Sequence, residues 1–564
     1  MKKDPSTFAN RTLIDMLEQS VREHGFRPAV SMALETPLTY RQFYESILGI
    51  AVLLKEQGIG RGDKVAILGE NSPHWGIAYF AGLHAGAIMV PILPDFPEAD
   101  VHHILHDSEA KLIFTTQRQL DKIRGLQAHR LQGVIMLDDL QPETDILNIK
   151  PITQFIDRAI EFFRRLPSSI GLKPHPLSAD ELASIIYTSG TSGHSKAVML
   201  THSNFLSNVL AADSLVDFRS DDTFLSILPL PHTYEFTLGF LLPLFNGARV
   251  VYIGKTPNPS LMEKICAAEK PTIIAAVPLI MEKIFKKKVL AALEENRFIK
   301  VVSRLPGIKR AIYRKINKKL LAFFGGRLRL MAIGGAALNY EAERFLQAAG
   351  FPYLIGYGLT ETAPLLAGGP LLDPTLAIGS TGKPIPGVEI KIVDADPHSG
   401  IGEIYARGAN VMAGYYRNPE ATAAVLDDQG WLKTGDLGVF DPRGNLHIKG
   451  RSKNMILKAD GENIYPEAVE DMINSERHVL ESLLLERKGQ LEAWVYLDYD
   501  LIDAETRGQK ESQRLEHIER LLGQLKETLN LQLPAFSKIA RFVERKEPFE
   551  KTATHKIKRY LYTS

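Results

Sequence analysis

The sequence predicts an α/β protein: a large N-terminal region of α/β subdomains with a β-rich part, then a smaller α+β C-terminal domain. Three observations carry this. The chain has 564 residues, more than one hydrophobic core holds. Short β-branched apolar runs, without clean alternation, are spaced by helix-length segments, the pattern of buried strands in mostly parallel sheets. After about Gly387 the texture shifts to shorter strands with Gly, Asp and Asn turns.

The elements follow in order. KVAIL (64–68) precedes a helix-like stretch from Pro73 to His84 and then AIMVPI (87–92). Further strands are expected at KLIFTT (111–116), GVIML (133–137), ASIIYT (183–188), ARVVYI (248–253), TIIAAV (272–277) and RLRLMAIGG (327–335). VEIKIVD, GEIYARG and GNLHIKGR are the later, turn-rich strands. A helix is expected at Pro466–Ile473, and a hydrophilic, helix-prone stretch runs from Ala504 to Asn530. The C-terminal domain is expected to begin near residue 450.

Composition narrows the class. With 45% hydrophobic residues, 24% charged residues and a net charge of +1, nothing points to nucleic acid or a strongly acidic partner. Cys266 is the single cysteine, so no internal disulfide forms and a reducing, cytoplasmic setting is expected. The start, MKKDPSTFANRTL, lacks an apolar core, so no signal peptide is expected. No apolar run approaches the ~20 residues of a membrane span.

YTSGTSGHSKA (187–197) combines a strand end, two glycines, short hydroxyls and a lysine. Gly190 and Gly193 let amides turn toward an anion. Thr188, Ser189, Thr191 and Ser192 are hydroxyl donors, and Lys196 is a compact charge suited to phosphate. A polar surface turn has the same composition, and the P-loop spacing is absent. In GGAAL (334–338), Gly334, Gly335 and Ala336 would admit a flat ligand, or make a strand-to-helix turn. GYGLTETAP (356–364) sets the Glu361 carboxylate beside Thr360, a hard-oxygen arrangement suited to Mg²⁺. Its Tyr357 face suits a planar base, with Gly358 alongside. WLKTGDLGVFDPRGNLHIKGR (431–451) offers Asp436, whose carboxylate can accept two ribose hydroxyls at once, and Arg451. KTATHKIKRY (551–560) would otherwise pass for a basic tail.

These segments resemble, in order and over nearly the whole chain, the adenylate-forming superfamily of acyl-CoA synthetases, luciferases and peptide-synthetase adenylation domains. The phosphate loop departs at Ser192, Ser195 and Ala197, where the family usually has Thr, Pro and Gly; His555 replaces a common glycine. The resemblance implies ATP, Mg²⁺ and coenzyme A as cofactors. It assigns Mg²⁺ to Glu361 and Thr188, the α-phosphate to Thr360, and pyrophosphate to the 188–196 loop. The adenine pocket falls to 334–336 and Tyr357, the ribose to Asp436. Lys556 is implied as the catalytic lysine and Lys453 as the hinge of a mobile C-terminal domain. The implied division is residues 1–450 and 451–564. In a second half-reaction the loop LKADGENIYP (457–466), with Gly461, would enter the site and shape a pantetheine tunnel.

The implied chemistry exchanges a poor leaving group, a carboxylate oxygen, for AMP. All reacting groups are anions, so alignment and charge neutralisation must dominate. PLPHTYEFTLGFLLPLFNG (229–247) matches the acyl-pocket segment, with His232 near the carboxylate or gating the tunnel; a structural histidine is the alternative. A basic stretch, 286–327, resembles an insertion of long-chain members and alternates Lys and Arg with apolar residues. A solvated helix or peripheral contact with anionic lipid at the inner face of a membrane would both produce it. The expected activity is acyl-CoA synthesis from a medium- to long-chain fatty acid. Alternatives are an acyl-AMP ligase serving a carrier-protein phosphopantetheine, or a non-catalytic lipid- or nucleotide-binding relative.

Overall fold

The structure, a computed structural model, describes residues 10–126, 131–141, 177–188, 195–254, 259–285, 289, 306–457, 463–552 and 556–563. Two seven-stranded sheets dominate it. One runs Gly414–Tyr415, Lys196–Thr201, Leu182–Thr188, Ile88–Ile92, Lys64–Leu68, Leu112–Thr115, Gly133–Met136. From Leu182–Thr188 to Gly133–Met136 the neighbours are parallel, as the apolar runs predict. The other end is not. Lys196–Thr201 returns antiparallel to Leu182–Thr188, pairing Thr188 with Lys196, so the Gly/Ser/Thr loop connects the two arms of a hairpin.

The second sheet runs Tyr353–Ile355, Leu330–Ile333, Ile273–Ala276, Thr223–Ser226, Arg249–Tyr252, Pro28–Met32, Leu38–Thr39. All its pairs are parallel except the last. Alternate side chains divide between two cores. Phe224, Ile273 and Leu330 join the large core between the sheets. Leu225, Ile274, Met331 and Ile333 join another on the far face, around Cys266 and Phe345. Helix Pro73–Ala85 lies in the large core with Trp75, Tyr79 and Phe80 buried; Ser72 caps its start and Gly86, at φ 89°, its end.

The turn-rich region forms a four-stranded antiparallel sheet: Val388–Val393, Gly402–Gly408, Leu432–Phe440, Leu446–Arg451. Beyond it, Val479–Arg487, Gln490–Leu497 and Ile539–Arg545 make a three-stranded sheet. Helices Pro466–Asn474 and Glu511–Gln532 contribute Val469, Ile473, Ile518 and Leu525 to a core of its own. The helix-prone stretch from Ala504 is shorter than expected. Gly508 at φ +83° and an extended Lys510 separate helix Tyr499–Glu505 from Glu511–Gln532.

Candidate active site

A cleft of about 2650 Å³ opens where the strand ends of the second sheet meet the four-stranded sheet and the C-terminal segment. Its walls carry Thr188, Lys196, His232, Gly334, Gly335, Ala336, Tyr357, Gly358, Thr360, Glu361, Asp436, Arg451, Lys453 and Lys556. Every site residue expected from sequence that is described thus lines one space. Ser189, Gly190, Thr191, Ser192, Gly193 and Gly461 lie outside the described residues.

Local folding explains several positions. Asp436 and Arg451 are fifteen residues apart because they are opposed partners across the hairpin of Leu432–Phe440 and Leu446–Arg451. Arg451 Nε donates to Asp436 Oδ1 at 2.8 Å, and the Tyr357 hydroxyl donates to Oδ2 at 2.7 Å. Each oxygen keeps a lone pair for a further donor, so the carboxylate still offers two acceptors. Burial pushes the Asp436 acid above its ordinary range, against the opposing pull of Arg451 and Tyr357. The Tyr357 ring is itself fixed, packed with Leu366, Ala367, Ile404 and Ala406.

Glycine is obligatory beside it. A Cβ on Gly358 would stand 1.8 Å from the Pro364 carbonyl oxygen. Gly335 has φ +89°, which turns the chain sharply after strand Leu330–Ile333.

Glu361 belongs to the short turn Thr360–Thr362, and its Oε1 accepts the Tyr415 hydroxyl at 2.9 Å. Tyr415 sits on the two-residue strand beside Lys196–Thr201, and the Lys196 ammonium lies 4.7 Å from its ring centroid. Tyr415 therefore joins the Glu361 carboxylate to Lys196. It escaped the sequence reading because a two-residue strand leaves no periodicity. Thr188 Oγ1 donates to the Lys196 carbonyl at 3.3 Å. Among the described residues no cluster of three or more His, Cys, Asp or Glu would hold a metal alone. A cation at Glu361 must bring oxygen ligands with it, as one carried on phosphates does.

Cations gather opposite. Burial, then Arg451, pushes the Lys556 ammonium below the ordinary lysine value, while Asp436 and Glu361 pull it up. Water still reaches Lys556, so these effects are screened. Lys453 is lowered likewise by burial, Arg451 and Lys196. Burial, reinforced by Lys556, holds the His232 imidazole down to about 4, so it is neutral at pH 7.

An apolar channel leaves the cleft along the second sheet. The register stacks its lining side chains in rows: Gly334 at the top, Ser226, Ala275, Ala332 and Leu354 below it, Phe224, Ile273 and Leu330 at the bottom. Ala212, Leu215, Leu238 and Leu242 line the same space, and the Phe218 ring lies 5.8 Å from that of Phe224 in the bottom row. Ser226, Ala275 and Ala332 in the middle row leave room that bulkier residues would fill.

The fold, with carboxylate, aromatic and cationic groups gathered on one cleft, is that of an enzyme. The chain belongs to the AMP-binding enzyme family, whose model matches residues 17–416. Among curated relatives, long chain acyl-CoA synthetase 1 of Arabidopsis thaliana is 32% identical over 486 residues, 77% of this chain and 69% of that one. A long-chain-fatty-acid–CoA ligase of Escherichia coli O157:H7 is 30% identical over 494 residues, covering 82% and 81%. In fold, the chain matches the ATP-bound crystal structure of MatB from Rhodopseudomonas palustris with a TM-score of 0.76, at 24% identity and 98% coverage of each.

Proposed function

We propose that this protein is an ATP-dependent, AMP-forming acyl-CoA synthetase acting on medium- to long-chain fatty acids. One observation carries the reading: a polar cleft with Asp436, Glu361 and Lys556 on its walls continues into an apolar channel. Relatives named as a long chain acyl-CoA synthetase and a long-chain-fatty-acid–CoA ligase support it.

In the first half-reaction a fatty-acid carboxylate oxygen attacks the α-phosphorus of ATP. The new P–O bond forms as the α–β bridge breaks, and pyrophosphate leaves with the bonding electrons. Asp436 holds the ribose hydroxyls, with Arg451 and Tyr357 keeping its carboxylate in place. Tyr357, with Gly334, Gly335 and Ala336, borders the base. Thr360 contacts the α-phosphate, and the 188–196 loop, with Lys196, holds the β- and γ-phosphates. Lys556 neutralises charge growing on the α-phosphate and carboxylate oxygens. Neutral His232 stands beside the acid without adding a charge that would trap it. Mg²⁺, held by Glu361 and Thr188, would screen the triphosphate.

In the second half-reaction the thiol of coenzyme A gives its proton to solvent and its sulfur attacks the acyl carbon; the C–S bond forms, the acyl C–O bond to phosphate breaks, and AMP leaves with the bonding electrons. For this the C-terminal residues 451–564 rotate about Lys453, withdrawing Lys556 and admitting the loop that carries Gly461.

AMP release across a panel of acids, with and without coenzyme A, tests the proposal. AMP and acyl-CoA in equal amounts from long-chain acids are expected. Thioester formation only on a carrier protein would replace coenzyme A as acceptor, and no acid-dependent AMP would reject the activity.

The setting is cytoplasmic, with peripheral membrane contact through 286–327. Among the described residues no helix is long and apolar enough to cross a membrane. Of the basic stretch, 286–288 and 290–305 lie outside the described residues. Helix Pro306–Phe323 is described: Ile316 and Leu320 pack inward, while Arg314, Lys315, Lys318 and Lys319 are exposed. Flotation with anionic liposomes should be lost at high salt and in R314E/K315E/K318E/K319E; equal flotation of the variant would reject the contact.

A further inference from the structure

Glu235 opens the π-helical segment Glu235–Leu241 and is wholly shielded from water. Among the described residues neither of its carboxyl oxygens reaches a hydrogen-bond partner. Its carboxyl folds back over Gly239, where a Cβ would stand 2.6 Å from Glu235 Cδ and Oε1. Gly239 is thus the space that admits the acid. Around it the segment is aromatic: Phe236 lies 4.5 Å from the Tyr79 ring and 5.1 Å from that of Phe205.

The polar group that acts on Glu235 is the Ser226 hydroxyl, on the middle row of the channel; it approaches without meeting full hydrogen-bond geometry. The titratable groups that feel Glu235 are the hydroxyls of Tyr234, on the preceding residue, and Tyr252, on the neighbouring strand. No charged group among the described residues acts on it, and burial pushes the acid up to about 8.

Ser226 leads onward. Its Oγ accepts Asn71 Nδ2 at 2.9 Å. The same Nδ2 donates to the Leu228 carbonyl at 2.6 Å, and Asn71 Oδ1 accepts the Leu230 amide at 2.9 Å. The His232 amide closes the turn on the Pro229 carbonyl at 3.0 Å. Asn71 follows strand Lys64–Leu68 of the first sheet, and Ser226 ends a strand of the second. This brace therefore ties both sheets to the loop that presents His232.

We propose that Glu235 is a positioning residue that works as a neutral carboxylic acid, setting Ser226 and, through Asn71, the 228–232 loop beside the reacting carboxylate. Ionised, the same carboxyl demands donors in full hydrogen-bond contact, which the hydroxyls around it do not make, and the π-helical segment must shift to bring them in. The inference deepens the acyl-activating reading and rests on it for its kinetic readout alone.

The test compares the full-length wild type with Glu235→Gln and Glu235→Ala. Acid-dependent AMP formation is followed between about pH 6 and 9.5, alongside the unfolding temperature. The wild type should lose kcat above a pH of about 8, where the acid ionises in place. Glu235→Gln, neutral at every pH, should keep turnover at pH 7 within about threefold of wild type and lack that alkaline limb. Glu235→Ala should lose on the order of tenfold or more in kcat, with KM for ATP little changed. In the unfolding series the folded state holds the proton more tightly than the unfolded chain, so wild-type stability should fall as pH rises from 4.5 towards about 8. That component should vanish in Glu235→Gln. An alkaline limb or stability slope retained in Glu235→Gln, or wild-type turnover in Glu235→Ala, would overturn the proposal. If no acid supports AMP release, the functional reading fails while the unfolding series still decides the state of Glu235.

Discussion

Ala332→Phe is the sharpest probe of where the acyl chain lies. Ala332 lines the channel in its middle row, level with Ala275, and Leu330 is the next channel-facing residue below it. Two strand residues separate those levels, about 7 Å. An extended alkyl chain advances ~1.3 Å per carbon, given C–C bonds of ~1.5 Å, so a phenyl ring at 332 denies burial to about five carbons. At ~0.8 kcal/mol per methylene that is about 4 kcal/mol, or an upper bound of roughly a thousandfold in kcat/KM. Gly334 lies two residues above Ala332, so hexanoate fits over the block and should be little affected. The assay is pyrophosphate release with hexanoate and hexadecanoate, read as the ratio of their kcat/KM values. A variant keeping the wild-type ratio within about threefold would place the acyl chain elsewhere and refute the row assignment.

Further expectations follow from the same geometry. Lys556→Ala should abolish acid-dependent pyrophosphate exchange while largely sparing thioester formation from preformed acyl-AMP; equal loss in both would deny a role confined to the first step. Tyr415→Phe removes the hydroxyl that Glu361 accepts; at about 1.5–3 kcal/mol for a bond to a charged group, KM for Mg-ATP should rise tenfold or more, and an unchanged KM would show that Glu361 is held without it. His202, buried and accepting the Leu13 amide at 3.3 Å, is depressed to about 4 by burial. The unfolded chain takes its proton first, so stability should fall by up to about 3 kcal/mol as pH drops from 6.5 to 4. Denaturant midpoints of His202→Gln should lack that component; an identical acid slope would assign it to other groups.

The sequence was most legible where chemistry and spacing are local. The run TGD with GR fifteen residues on reads as a pair because a hairpin sets the two residues face to face. The apolar runs of both sheets read as strands because burial on two faces leaves no alternation to misread. What escaped was set by tertiary contact. Tyr415 and Asn71 carry no motif and gain their meaning from partners far along the chain, while Glu235, within the 229–247 segment, gains its meaning from burial over Gly239. The antiparallel return of Lys196–Thr201 was equally hidden, since strand direction depends on which neighbour the chain meets. The channel rows needed the register of four strands, which no single run discloses.

The alternation in the second sheet carries a wider consequence. Residues 224, 273, 275, 330 and 332 face the channel, while 225, 274, 331 and 333 build the opposite core. Phe224, Ile273 and Leu330 thus serve the channel and the large core at once, while Leu225, Ile274 and Met331 on the other side of the ribbon serve packing. A lineage could reshape the channel at Ala275 and Ala332, which belong to neither core, and leave both cores standing.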